Sequence, residues 1–224
     1  MVASRSLVNE NSVLYGTIMR KVLTRREENR EARRAAIVAI ARDAFLDHGY
    51  AATSMSTIAG QLGGSKGTLW AYFPSKEDLF AAVLDDVTAS FRQSLDDTLR
   101  PDRDWHMTLR DFAQRFLMKM LNPDSMRLHR LIIGESGRFP EIGQIFFARG
   151  PRIVMERLAD YLRGRMDAGD LRRVDPMEAA MTLVQLTQLQ HNLRLWGIIG
   201  LPDPAEIEAH ADTVVDLFAR AYGV

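Results

Sequence analysis

Cysteine is absent from all 224 residues. That removes disulfide staples, thiolate metal ligands and thiol nucleophiles together, and it fits a chain that folds in a reducing compartment. No stretch approaches the ~20 apolar residues of a membrane-spanning helix, and residues 1–19 lack the apolar core of a secretory leader. A cytoplasmic location with no membrane partner is therefore expected. Strand-like alternation, fixed-period repeats and low-complexity tracts are also missing. His48, His106, His129, His191 and His210 show no metal-ligand spacing, so no metal is expected. The segment Gly63-Gly64-Ser65-Lys66-Gly67-Thr68 lacks the Gly-Lys-Ser/Thr order of a phosphate loop and follows no strand. Gly134-Glu135-Ser136-Gly137 falls short of a nucleophile elbow. No catalytic residue, enzyme activity or cofactor is expected.

What is present is apolar and helical. Hydrophobic residues make up 46% of the chain, enough to bury a sizeable core. The net charge of zero hides an asymmetry: residues 1–76 carry 11 Lys and Arg against 6 Asp and Glu, whereas residues 77–224 carry 18 against 23. A basic N-terminal third on an acidic body suits contact with a polyanion at one end only. Within the basic third, Arg20, Lys21, Arg25, Arg26, Arg30, Arg33 and Arg34 suit an arm that meets phosphates or a minor groove.

Apolar residues recur at helical spacing from Ile37 onward: Ile37, Ile40, Ala41, Ala44 and Phe45 form one stripe, which Gly49 ends. Thr53 is expected to cap the next helix, with Ile58, Ala59 and Leu62 facing inward. A glycine turn at 63–64 follows, then a short helix capped by Ser65 and stopped by Pro74. Ser75 caps a long helix over 75–100 whose row Leu79, Val83, Val87, Phe91 and Leu95 keeps i+4 spacing. Pro101, Pro123, Pro140 and Gly150-Pro151 divide the helices that follow. Asp175-Pro176 and Asp203-Pro204 each offer a cap and a first helical residue, opening helices over 176–196 and 204–222.

Two short helices meeting at a glycine turn, with small Ala59 at their crossing, form a helix-turn-helix. With its flanks (Gly49-Tyr50, Thr53, Ile58-Ala59, Gly63 and Ser65 through Leu79), this segment resembles the DNA-binding domain of TetR/AcrR-family regulators. The resemblance spans residues 30–84 and implies an all-α fold. It divides into a partly disordered basic arm (1–28), a three-helix reader (29–76) and a larger ligand-binding and dimerisation body (77–224), with a long helix joining reader to body. It also implies roles. Lys66, Thr68, Trp70 and Tyr72 would lie on the recognition helix, the first two reaching base edges or phosphates and Tyr72 donating to a phosphate. Thr53, Ser65 and Lys76 would contact phosphates. Trp70 replaces the family's usual Tyr and exchanges a hydroxyl for an N–H donor. Gly64 replaces a common apolar residue.

Between Glu178 and Arg194 no residue is formally charged, and apolar side chains surround the helix, as in one buried on more than one side. The resemblance implies a homodimer through 176–196 and 204–222. Phe112, Phe116, Met120, Phe146, Met155, Met181, Gln185 and Trp196 are expected to line an effector cavity, since Met and aromatic side chains suit an adaptable apolar pocket. The implied function is a dimeric repressor of a near-palindromic operator on double-stranded DNA, released by a small apolar or amphipathic effector. A regulator without an effector, or an activator, are the alternatives.

Overall fold

The computed structural model describes residues 25–63, 66–188 and 190–224. Residues 1–24 of the expected arm, and the turn and cap expected at Gly64 and Ser65, lie outside them. The chain divides into two compact units, Met1–Ala36 and Ile37–Val224. In the first, the described residues are helical, and Arg30 and Arg34 are exposed.

The described residues hold eleven helices: α1 (Arg25–Ala52), α2 (Met55–Gln61), α3 (Lys66–Tyr72), α4 (Lys76–Thr98), α5 (Trp105–Leu121), α6 (Pro123–Glu135), α7 (Pro140–Arg149), α8 (Pro151–Ala168), α9 (Pro176–Thr187), α10 (His191–Leu195) and α11 (Pro204–Tyr222). No strand forms among them beyond one antiparallel bridge, Leu171 to Gly223. None of these helices is long and apolar enough to cross a membrane.

Local chemistry sets the boundaries. Ser75 Oγ accepts the Asp78 N–H at 3.0 Å, Asp175 accepts from Met177 and Glu178, and Asp203 and Glu206 close a reciprocal capping box. Gly49 interrupts α1 at φ 83°, ψ 170°, a region essentially reserved for glycine. Two expectations are corrected. The cap of α2 is Ser54, which accepts the Thr57 N–H at 3.0 Å; Thr53, one residue earlier, is turned inward. The helix expected over 176–196 stops at Thr187, because Gln190 takes a left-handed conformation (φ 65°) before α10 begins.

The second unit contains two hydrophobic cores. The first gathers Ile37, Phe45, Ile58, Leu69, Phe73, Leu79 and Phe80 with Leu128, Leu131 and Ile132 of α6 and Ile142 of α7. An aromatic cluster lies within it, Phe45–Phe80 at 5.2 Å and Tyr50–Phe80 at 5.3 Å between ring centres. The second core joins Leu95, Phe112, Phe116, Leu158, Leu162, Leu183, Val214 and Phe218. Helix α4 contributes to both. Leu79, Phe80 and Val83 belong to the first core and Leu95 to the second, and Phe91 packs against the second from between them.

Candidate nucleic-acid interface and effector cavity

Helix α3 is held by Leu69 (0% exposed) and Phe73 (4%). Their spacing turns the opposite side of the short helix outward, where Trp70 is 39% exposed. Thr68 is half-buried, and Tyr72 is half-buried against the first core. The side chain of Lys66, like Ser65, lies outside the described residues.

Two of the expected phosphate contacts are corrected. Thr53 is buried, and its hydroxyl donates to the Ala44 and Gly49 carbonyls at 3.0 and 2.7 Å. The hydroxyl thus satisfies the carbonyls at the end of α1 and does not reach the surface. The exposed hydroxyl pair at the start of α2 is Ser54–Thr57. Lys76 turns inward: its ammonium donates to the Tyr50 carbonyl and sits 4.0 Å from the centre of the Tyr50 ring. Burial pulls its pKa below the usual lysine value, opposed by the charges of Glu135, Glu77 and Glu141.

Tyr50 is the hub of a latch that the sequence did not reveal. Its hydroxyl donates to Glu77 at 3.0 Å, and burial, then Glu77, push its pKa up. Glu135, the last residue of α6, accepts the Tyr50 N–H at 2.9 Å and the Ala51 N–H at 2.6 Å. A Cβ at Gly49 would strike the same carboxylate. The backbone entering the helix-turn-helix is therefore clamped by the end of a helix from elsewhere in the unit.

A cavity of about 280 Å³ opens where the two cores meet. Leu128, Ile132 and Phe146 wall it from the first core's side, and Phe116, Val154 and Val184 from the second. Val87 and Phe91, in the middle of α4, add to the apolar lining. Of the expected lining residues, Phe116, Met120 and Phe146 belong to it. The others do not. Phe112 is fully buried behind Phe116, its ring stacked at 5.7 Å. Met155 packs on the second core. Met181 and Gln185 border a surface depression with Asp175 and Glu178, because Ala180, Leu183, Val184 and Thr187 take the inward side of α9. Trp196 lies beyond the break at Gln190 and is 67% exposed.

That break brings in a polar group that histidine spacing gave no hint of. His191 opens α10, and its Nε2 lies 3.0 Å from Nδ1 of His129 on α6. Both residues line the cavity, as do Ser125 and Lys119. Burial, then the charges of His191 and Lys119, hold His129 down to about 4. Burial and Arg194 also lower His191. Lys119 donates to the Val87 carbonyl at 2.8 Å, and burial lowers its pKa against the pull of Asp124. No group of three or more metal-ligating side chains occurs among the described residues.

An exposed indole on a short helix, together with a helical body that holds an apolar cavity, has the character of a DNA-binding regulator. Residues 37–83 match the family described as bacterial regulatory proteins, tetR family, and residues 107–224 match the AefR-like transcriptional repressor C-terminal domain. The chain belongs to the TetR family of transcriptional regulators. It is similar to the HTH-type transcriptional regulator RutR of Escherichia coli K12, 29% identical over 75% of this chain and 78% of that one. Among solved structures it is similar to the flavonoid-responsive regulator FrrA, with TM-score 0.73 and 33% identity over 86% of this chain and 98% of that one. A TetR family regulator from Pseudomonas syringae pv. tomato DC3000 gives TM-score 0.69 and 25% identity, covering 85% and 97%.

Proposed function

We propose that this chain is a cytoplasmic homodimeric repressor that grips a near-palindromic operator and lets go when a small apolar or amphipathic effector fills the cavity. The observation that carries this reading is the position of the cavity, walled from one side by the core that seats the recognition helix and from the other by the C-terminal core. A ligand entering there bears on both. The flavonoid response of FrrA favours a ligand-responsive body here too.

The reader is assigned to 29–76 and the body to 77–224. Trp70 would press its indole on base edges or a thymine methyl in the major groove, with Lys66, Thr68 and Tyr72 beside it. Ser65 would present its backbone N–H and hydroxyl to phosphate. The dimer would form through 176–196 and 204–222, where Met181, Trp196 and Leu217 leave large apolar surfaces exposed. Two readers would then fall about 34 Å apart, one turn of duplex. Helix α6 supplies the coupling: Ser125, His129 and Ile132 line the cavity, and Glu135 at its end clamps Tyr50 and Ala51. A ligand that displaces α6 would loosen that clamp. It must bind the released state more tightly, since equal affinity for both states shifts nothing.

The test is enrichment of bound duplexes from a random pool. The expected product is an inverted repeat whose affinity falls steeply with salt. Retention of no duplex at low salt would overturn the reading.

A further inference from the structure

We infer that the effector is an organic monoanion of roughly two-ring size, seated with its apolar body against Phe116 and Phe146 and its carboxylate on the ammonium of Lys119. This inference rests on the reading of the cavity as the effector site and specifies the chemistry that the site takes.

Size comes first. A cavity of about 150 Å³ takes one benzene, so about 280 Å³ takes roughly two rings. The lining comes next. Phe116 and Val154 on one side, with Ile132 and Phe146 on the other, give an apolar body its contacts. A ligand with several polar groups would leave some of them against this apolar wall without partners.

Charge then selects the head group. Among the described residues, Lys119 is the one charged side chain on the wall, and no carboxylate shares the wall with it. Its ammonium donates to the Val87 carbonyl at 2.8 Å, which occupies one of its three N–H donors. The carboxylate that acts on it is that of Asp124, which does not line the cavity and is paired with Arg127 at 2.8 Å. Lys119 is half-buried, and burial pulls its pKa down more than Asp124 restores it. The wall therefore carries a cation that has lost water and gained no counter-ion. A carboxylate supplies the missing charge and acceptors for the remaining donors. The field of this cation extends along the wall: after burial and His191, it also holds down His129 on α6. A ligand ammonium would meet repulsion from Lys119 and no carboxylate in compensation. A neutral ligand would displace water from the ammonium without replacing its hydrogen bonds. A dianion would bury a second charge with no partner.

The test uses the full chain at pH 7.5 with four probes of one shape: 2-naphthoate, its neutral isostere 2-naphthamide, naphthalene and 2-naphthylmethylammonium. By calorimetry, 2-naphthoate is expected to bind about tenfold more tightly than 2-naphthamide, the size of one hydrogen bond to a charged group. The ammonium should bind most weakly of the four. Lys119→Met keeps the length of the side chain and removes its charge. It should erase the naphthoate preference while leaving naphthalene binding unchanged, which also reports that the variant is folded. Arg115→Gln removes a charge from an exposed position of the same helix, off the wall, and should leave the preference intact. If Lys119→Met does not fold, Lys119→Gln takes its place, and the order of the four probes on the parent chain is a test by itself. Naphthamide or the ammonium binding as tightly as naphthoate, a preference that survives Lys119→Met or vanishes in Arg115→Gln, or failure of all four probes overturns the inference. Operator release is read separately. A neutral probe that binds more tightly than naphthoate and releases the selected duplex overturns the anion and leaves the effector reading standing. Naphthoate that binds as expected and releases nothing does the reverse.

Discussion

The two cores differ in how they are assembled. The C-terminal core is built from helices of the body alone, α5, α8, α9 and α11 with the end of α4. The core that seats the recognition helix borrows: Leu128, Leu131 and Ile132 come from α6, and Ile142 from α7. The reader is thus not a free-standing three-helix unit carried on a rod. Side chains of α6 and α7 are part of its core, and the cavity lies along the junction. On the proposed reading, the contrast locates responsiveness in α6 and in the middle of α4, which both line the cavity.

The largest expected effects test whether the cores are separable. Phe80→Ala and Phe218→Ala each truncate a fully buried ring and should cost about 3–5 kcal/mol. Calorimetry should show one transition that both substitutions lower; two transitions moving independently would break the picture of coupled cores. Acid should act at the junction itself. His129 protonates only near pH 4 in the folded state, against 6.5 ordinarily. Between those values the unfolded chain binds the extra proton. Stability that is full above pH 6.5 is therefore lost as pH falls toward 4, by about 3 kcal/mol. Urea midpoints at pH 7 and pH 4.5 should differ less in His129→Phe than in the parent chain, and equal differences would count against this.

Gly49→Ala sharpens the comparison at the latch. It places a side chain at φ 83° and drives it into Glu135, for a loss of about 2–3 kcal/mol. Operator affinity should fall with the urea midpoint. Glu135→Gln keeps the shape but has one acceptor where two backbone N–H groups need two, so one hydrogen bond is lost and the other weakened, costing about 2 kcal/mol. Its diagnostic effect is on coupling: effector should bind as before yet release the operator less completely. Undiminished release would remove Glu135 from the pathway. Trp70→Ala should change stability least, within about 0.5 kcal/mol for an exposed site, while weakening operator binding about tenfold, the loss of one good base contact. Unchanged binding in a mobility-shift titration would dismiss the indole as a reader.

Much of the scaffold could be read from local signals. Caps at Ser75, Asp175 and Asp203 act within three residues of chain, and the apolar rows announce themselves by period. The cap falls on Ser54 and not on Thr53, because two adjacent hydroxyls qualify and only burial chooses between them. The break in the 176–196 helix was illegible because Gln190 is not a residue type that advertises a left-handed turn. Trp196 falls outside the cavity for that reason, and Met181 and Gln185 do so because Ala180, Leu183, Val184 and Thr187 take the inward side of α9. The Glu135 clamp and the histidine pair join residues 85 and 62 positions apart. No periodicity reports such contacts; they exist only once the helices have packed.

A cavity at the joint between two cores is a standing weakness, because the side chains around it forgo contacts that a packed interior would supply. Side chains enlarged from within, at Val154 or Val184 for instance, would make a sturdier molecule with no room left for a signal. Selection for robustness alone would therefore close this space, and the proposed capacity to listen depends on tolerating it.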